Sequence, residues 1–391
     1  MTSAPETWDA SHAQPGYRIC SRCVMDTSDP EIEFDGDGVC NHCRSFPEAE
    51  RYYVPRPEDR DVRLAELVDR MKKAGRGRTY DCVIGLSGGV DSSYLAYAVK
   101  QLGLRPIAVH LDNSWDSELA VKNIENIVTR LGIDLVTYVL DWPEFRDLQV
   151  SFLKASVSDA EVPTDHAIVA LMLKTAAGRG IKYLIIGTNV ATEAILPASW
   201  TSGTDDWTYI SAIQRQFGTR PLRKFPHYTM YEFAFNLGVR RIRWVRLLDL
   251  LDYDKAAAMA TLESEVEWRN YGGKHHESLY TKFFQGYILP RKFGIDKRRA
   301  HLSTLINSGQ LSRASAVAVL ATPPLDPSDE ASMKEYVTKK LGLTPDEFEE
   351  IMNLPHRTYR DYPNASTTRE RLLRLARFTR RVGLVPRINE R

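Results

Sequence analysis

Cys82-Val83-Ile84-Gly85-Leu86-Ser87-Gly88-Gly89-Val90-Asp91-Ser92-Ser93 is an apolar run of strand length that passes directly into paired glycines and then into helix-forming sequence. Two adjacent glycines let a backbone approach an anion closely and adopt positive φ. N–H groups freed in such a turn, at the positive end of the helix that follows, cradle anionic oxygens. Ser87, Ser92 and Ser93 add hydroxyl donors, and Asp91 suits a Mg²⁺ ion held beside phosphate. The competing reading is an ordinary strand-to-helix turn capped by serine and aspartate. No Gly-Lys-Ser/Thr follows the glycines, so transfer of a γ-phosphoryl group is not the expected chemistry.

Outward from this turn the pattern alternates. Cys82 to Leu86 reads as a strand, and Ser92 to Leu102 as a helix closed by Gly103. Ile107 to Leu111, Leu135 to Leu140 and Tyr183 to Gly187 read as further buried strands, with helices from Leu119 to Leu131 and from Ala167 to about Ala177 between them. Strands separated by helices predict an α/β fold with a doubly wound parallel sheet. Beyond about residue 200 the strand signal fades and helical patterns take over at Ala256 to Met259, Ala314 to Leu320, Glu335 to Leu341 and Pro345 to Met352. The expected divisions are a loose tail at 1–16, a metal knuckle and linker at 17–60, the α/β domain at 61–210, and a mostly helical substrate or partner region at 211–391. Proline at 55 and 57 and the charges of 48–61 predict the linker, and Leu64, Leu67, Val68 and Met71 a helix ending near Gly75.

The 391 residues carry 52 Lys and Arg against 51 Asp and Glu, so bulk charge calls for no polyanionic partner, and nucleic acid is not expected. Arg369 to Arg381 interleaves arginine with leucine and reads as an amphipathic helix with a solvated basic face. No apolar run reaches the roughly 20 residues of a membrane span, and the N-terminus has no hydrophobic signal core, which makes the cytoplasm the expected compartment. Four of the five cysteines form two pairs, Cys20-Ser21-Arg22-Cys23 and Cys40-Asn41-His42-Cys43. Two thiolates two residues apart grip one side of a tetrahedral ion, and the second pair closes it, which predicts structural Zn²⁺ without an open position for chemistry. An iron–sulfur cluster and a redox dithiol are the competing readings. His42 lies between ligands and reads as a solvent or outer-sphere residue. Cys82, alone in its strand, reads as a small buried apolar side chain.

The string Ser87 to Ser93 resembles the signature of the ATP-pyrophosphatase superfamily (adenine nucleotide alpha hydrolase-like), which includes NAD, GMP and asparagine synthetases and tRNA-modifying enzymes. That resemblance implies ATP and Mg²⁺, with ATP split between its α and β phosphates. It implies that Asp112, ending the second strand, lines the adenosine pocket, and that Gly187-Thr188-Asn189 closes the site beside the α-phosphate. No cysteine is left for an internal glutaminase or a sulfur carrier except Cys82, and Thr2 follows Met1, so ammonia from a separate glutaminase subunit is the expected nucleophile.

Cys20 to Pro30, Cys40 to Cys43, Tyr271-Gly272-Gly273-Lys274-His275-His276-Glu277-Ser278 and the run Thr281 to Ser303 together resemble the N-acetyl sugar amidotransferase family of bacterial surface-polysaccharide biosynthesis. The resemblance extends from about residue 17 to 360. It implies conversion of a sugar acetamido group, on a nucleotide-sugar or nonulosonic acid, into an acetamidino group, with glutaminase and cyclase-like ammonia-delivering subunits as partners. On that footing Lys274, His275, His276 and Arg291 are expected to contact substrate, against the reading of residues 274–277 as a solvated loop. Asp91, Glu193, Lys282 and Lys292 are expected at the catalytic centre, with Glu193 orienting ammonia or accepting its proton. Tyr271 and Trp268 read as packing residues. The rival readings are a tRNA thiolase or lysidine-type synthetase and a catalytically silent zinc-knuckle scaffold. Metal analysis of the purified protein is expected to find about one zinc per chain; iron with visible absorbance and no zinc would contradict the structural-zinc reading.

Overall fold

The computed structural model describes residues 16–272 and 276–371; Lys274, His275, the 1–15 tail and the arginine-rich stretch beyond 371 lie outside the described residues. Five strands form one parallel sheet: β1 Cys82–Gly85, β2 Pro106–Asp112, β3 Asp134–Val139, β4 Tyr183–Ile186 and β5 Arg243–Arg246, in the order β3-β2-β1-β4-β5. Register aligns Val83 with Ile107 and with Leu184, and Leu184 with Trp244. Alternate residues of each strand feed two separate cores. Cys82 and Ile84 enter one with Ala108, Tyr183 and Ile185, while Val83 enters the other with Ile107, Val109 and Leu184. Both faces are therefore covered, which explains the unbroken apolar runs in the sequence.

The helices, in chain order, are α1 Asn41–Tyr53, α2 Pro57–Ala74, α3 Val90–Gln101, α4 Glu118–Leu131, α5 Trp142–Ala155, α6 Val162–Arg179, α7 Val190–Glu193 and α8 Trp207–Phe217. They continue with α9 Met230–Gly238, α10 Lys255–Val266, α11 Leu279–Phe283, α12 Arg298–Asn307, α13 Arg313–Leu320, α14 Pro327–Leu341 and α15 Pro345–Asn353. A π-helical segment, Phe284–Phe293, extends α11. Helices α3, α4 and α10 cover one face of the sheet, and α5, α6 and α8 the other. No described helix is long and apolar enough to cross a membrane.

Three elements depart from the sequence expectation. Residues 48–61 are mostly helical, because Cys40 caps α1 by accepting from the Cys43 N–H, and Pro57 with Glu58 and Asp59 gives α2 a favourable first turn. Helix α5 was not foreseen; Asp141 caps it and Pro143 sits in its first turn. Strand β5 was hidden by its arginines, Arg243-Trp244-Val245-Arg246, which suit an edge strand.

The N-terminal knuckle (residues 17–43) docks on α12 and α13 rather than on the sheet. Val24 packs among Ala316, Leu320, Leu302 and Ile306. The Ser303 hydroxyl accepts from the Val24 N–H at 3.2 Å, and Arg299 donates to the Val24 carbonyl at 3.1 Å. Arg299 also pairs with Asp26 at 2.8 Å, both side chains being at most 3% exposed. Such a pair contributes little over an apolar pair of the same shape, but removing one partner leaves a buried charge at a cost of about 3–5 kcal/mol. The surface pair Arg44–Asp35, at 3.6 Å, is worth under about 1 kcal/mol. Asp26→Asn is therefore expected to lower the unfolding temperature by several degrees and Asp35→Asn to leave it within about a degree; equal effects in a calorimetric scan would contradict this docking.

Candidate functional site

Strand β1 lies between β2 and β4, so the direction of winding reverses at its carboxyl end, where doubly wound sheets bind ligands. The Ser87–Val90 turn and Gly187-Thr188 meet there. Gly88 takes φ +81°, and a Cβ on it would stand 2.7 Å from the Ala120 carbonyl oxygen, so the turn requires glycine. Gly89 is the N-cap of α3 and brings no capping side chain, leaving the helix terminus open toward the cavity. The turn is clasped from a distant part of the chain. Trp268 donates from its indole to the Gly88 carbonyl at 2.9 Å, and the Val90 N–H donates to the Tyr271 hydroxyl at 3.2 Å. Within the turn, the Gly89 N–H donates to the Ser87 hydroxyl at 3.3 Å and the Ser87 N–H to that of Ser92 at 3.3 Å.

The resulting cavity, about 290 Å³, is lined by Ser87, Gly89, Val90, Asp91, Ser92, Gly187, Thr188, Glu193, Lys255, Met259, Trp268, Asn270, Tyr271, Gly272 and Glu277. Asp91 accepts a hydrogen bond from the Tyr253 hydroxyl. Burial first, and then the Asp91 charge, push that phenol far above its ordinary value, so it stays a neutral donor. Tyr271 is likewise raised by burial and by Glu277, to whose carboxylate it hydrogen bonds. Three carboxylates, Asp91, Glu193 and Glu277, thus share the wall with the Lys255 ammonium. Among the described residues no three of these come close enough to bind a cation together. That arrangement suits Mg²⁺, which one or two carboxylates hold while phosphate oxygens and water complete the octahedron.

Of the residues expected from the sequence, Ser87, Gly89, Asp91, Ser92, Gly187, Thr188 and Glu193 come together at the cavity, and Gly88 shapes its turn. Others do not reach it. Ser93 is fully buried behind the turn. Asp112 accepts from the Ser114 N–H at 2.8 Å, organising the loop after β2 instead of lining the cavity. Asn189 is buried as the N-cap of α7, accepting from Thr192 N–H at 2.9 Å and donating to the Gly187 carbonyl at 3.1 Å, so it sets the turn that presents Glu193. Lys282 pairs with Asp329 at 3.2 Å, and Arg291 with Glu330 at 2.6 Å while lying over the Tyr287 ring. Lys292 is buried and donates to the Ile351 carbonyl. These three cations fasten α11 and the π-helical segment that extends it to α14 and α15. His276 is half-buried and outside the cavity lining.

Tyr253, Lys255 and Asn270 carry no signal in the sequence; Glu277, read there with Lys274, His275 and His276 as one polar cluster, lines the cavity, and Trp268 and Tyr271, read as packing residues, are the clasp on the turn. Asp249 is a further unforeseen residue: buried, paired with Arg246 at 2.7 Å, it accepts from the Val190 N–H at 2.7 Å and so holds the start of α7. The usable signal was the density of tyrosine, tryptophan and carboxylate between 249 and 277, which says nothing of where the segment folds back.

The four cysteines are buried with their Sγ atoms all within 4.8 Å of one another and none in a disulfide. Cys20–Cys43 and Cys23–Cys40 sulfurs stand 3.9 and 3.7 Å apart. A tetrahedral ion with Zn–S bonds of about 2.3 Å requires a separation of roughly 3.8 Å. The geometry fits one ion and is too tight for a multi-iron cluster. Backbone N–H groups of Cys23 and Cys40 point at Cys20 Sγ, at 3.4 and 3.3 Å, as a bound thiolate requires. His42 is no ligand; its ring bonds the buried Asp29 carboxylate at 2.7 Å, which also accepts from Ser199.

Residues 64–203 match the NAD synthase family model, and residues 277–376 match the model described as LPS biosynthesis protein WbpG-like, C-terminal domain. Among curated proteins, tRNA(Ile)-lysidine synthase of Chlamydia pneumoniae is 39% identical over 67 residues, 17% of this chain and 21% of that enzyme, so the chain spans about a fifth of its length. Among solved structures, NMN synthetase from Francisella tularensis (17% identity, 35% of this chain and 56% of that one, TM-score 0.28) is similar in part. So is the NH3-dependent NAD synthetase from Campylobacter jejuni (16% identity, 53% of this chain and 93% of that one, TM-score 0.26). The two family matches together support an ATP-using, sugar-modifying enzyme.

Burial pushes the Lys292 ammonium down to about 8 from 10.5. The folded chain then binds fewer protons than the unfolded one between those values, so stability should rise with pH across that window. Lys292→Met is expected to abolish that rise and to leave nucleotide turnover within about twofold. Loss of turnover in a folded Lys292→Met protein would restore the lysine to the chemistry.

Proposed function

We propose that this chain, whose two matched regions support the N-acetyl sugar amidotransferase family of the ATP-pyrophosphatase superfamily, converts a sugar acetamido group into an acetamidino group. One observation carries the reading. The cavity at the glycine turn is closed by Trp268, Asn270, Tyr271, Gly272 and Glu277, and Glu277 is the first residue of the WbpG-like region, so the two matched regions meet at a single site.

The open terminus of α3 and the Ser87 and Ser92 hydroxyls receive the phosphates of ATP. Asp91 would hold Mg²⁺, which when bound would supply charge neutralisation to the departing pyrophosphate. The acetamido oxygen, a poor leaving group, attacks the α-phosphorus; the P–O bond to pyrophosphate breaks and an O-adenylated imidate remains. Ammonia adds to the activated carbon, Glu193 orients it and takes its surplus proton, and AMP departs with the former amide oxygen. Lys255 balances the carboxylates and attracts phosphate. The chain's share of the rate is positioning and charge complementarity. Ammonia comes from a separate glutaminase with a cyclase-like conducting subunit, in the cytoplasm where ATP is available. The sugar is a nucleotide-linked or nonulosonic N-acetyl sugar, and the cysteine quartet holds structural Zn²⁺.

Incubation of candidate N-acetyl sugars with ATP, Mg²⁺ and ammonium is expected to give AMP, pyrophosphate and a product lighter by about 1 Da, as O is replaced by NH. Pyrophosphate release that needs tRNA and leaves every sugar unchanged in mass would overturn the assignment in favour of RNA modification.

A further inference from the structure

Helix α12 lies between the cysteine quartet and the cavity, and each of its sides is bonded to one of them. Toward the quartet, Asn307 donates to Cys43 Sγ at 3.3 Å. Arg313, just beyond the helix, donates to the Cys23 and Cys20 carbonyls at 3.0 and 3.1 Å. Toward the cavity, Thr304 accepts from the Ile195 N–H at 3.1 Å and Ser308 donates to the Ala191 carbonyl at 2.9 Å, which fixes α7 and with it Glu193.

The turn that ends α12 reaches further. Gly309 takes φ +78°, and Gln310 after it meets the Tyr253–Lys255 segment. The Gln310 amide accepts from the Lys255 N–H at 3.1 Å and donates to the Tyr253 carbonyl at 3.0 Å. Tyr253 is the residue whose hydroxyl bonds Asp91, and Lys255 lines the cavity. A continuous set of bonds therefore leads from a thiolate of the quartet, through three residues of sequence at the end of one helix, to the carboxylate beside the glycine turn. Neither half-chain explains Gln310 alone: it is a neutral amide in a loop, with both of its polar ends given to the backbone of the segment that carries the Asp91 partner.

We infer that Gln310 is a positioning residue for the Mg²⁺–nucleotide site, and that α12 makes the cysteine quartet a structural support of Asp91 and Glu193 instead of a separate docking module. This rests on the reading of the cavity as a nucleotide site. Removing the Gln310 amide frees the Tyr253–Lys255 segment, so the Tyr253 hydroxyl no longer holds Asp91 in one orientation. The cation held by Asp91 then binds less well, while the amides of the glycine turn, which receive phosphate without the cation, keep their place. Outer partners of this kind typically change metal binding tenfold to about a hundredfold.

The test is calorimetric titration of the zinc-loaded protein with α,β-methylene-ATP, with and without Mg²⁺, in the parent, in Gln310→Ala and in Ser308→Ala. In Gln310→Ala the Mg²⁺-dependent gain in affinity is expected to fall about tenfold or more, with the affinity measured without Mg²⁺, the zinc content and the unfolding temperature unchanged. Ser308→Ala, which frees the α7 side and not the Tyr253–Lys255 segment, is expected to keep the Mg²⁺-dependent gain in place, and a loss equal to that of Gln310→Ala would overturn the assignment of the effect to Gln310. An undiminished Mg²⁺ gain in Gln310→Ala, or an equal loss with and without Mg²⁺, overturns the positioning role. A parent protein that binds no nucleotide under either condition overturns instead the reading of the cavity on which it rests.

Discussion

Gly88 stands at φ +81° with the Ala120 carbonyl where a side chain would begin, and the site follows from that single backbone constraint. Because the turn is this tight, α3 starts directly above the end of β1, and its uncapped terminus opens into the crevice between β1 and β4. A turn so strained for any other residue needs outside support, and it receives it from Trp268 and Tyr271, about 180 residues later in the chain. Those bonds do two things together. They hold the glycine carbonyl and the Val90 amide, and they bring Glu277 and the start of the C-terminal region to the cavity mouth.

The same logic governs the carboxylates. Asp91 is aimed by Tyr253, and α7, which carries Glu193, is held by Asp249 at its start and by α12 alongside. Asp249 and Tyr253 lie in the connection from the edge strand β5 to α10, and α12 lies beyond the sheet altogether. The helical second half is thus a frame that arranges groups on the nucleotide loop. The cysteine quartet, too small a segment to fold without a cross-link, stiffens the outer side of that frame.

Much of this was legible from sequence where structure is local. The strand at 82–85, its turn and its helix, the helices at 118–131 and 255–266, and the cysteine quartet all carry their signals within a short window. Helix α5 has its signal in Phe145, Leu148, Phe152 and Leu153 at helical spacing behind the Asp141 cap, and β5 is masked because arginines bracket its only two apolar residues. Basic residues are the hardest to place from sequence. Lys282, Arg291 and Lys292 sit in a run that looks made for phosphate, yet each is taken up by Asp329, Glu330 or the Ile351 carbonyl. Composition reveals a cation, but only the fold reveals whether an acid already faces it. Conversely, Trp268, Tyr271 and Tyr253 were passed over because an aromatic residue's hydrogen-bonding end matters only once its partner, far away in sequence, is known.

The most direct test of the account follows the amide oxygen. If the acetamido oxygen attacks the α-phosphorus of ATP, a sugar labelled with heavy oxygen in its acetamido carbonyl must hand that atom to AMP. Mass spectrometry of the nucleotide product is predicted to find the label in the AMP phosphate, with the amidine sugar unlabelled at that carbon. Unlabelled AMP alongside a changed sugar, or ADP as the nucleotide product, would contradict activation through an adenylated imidate.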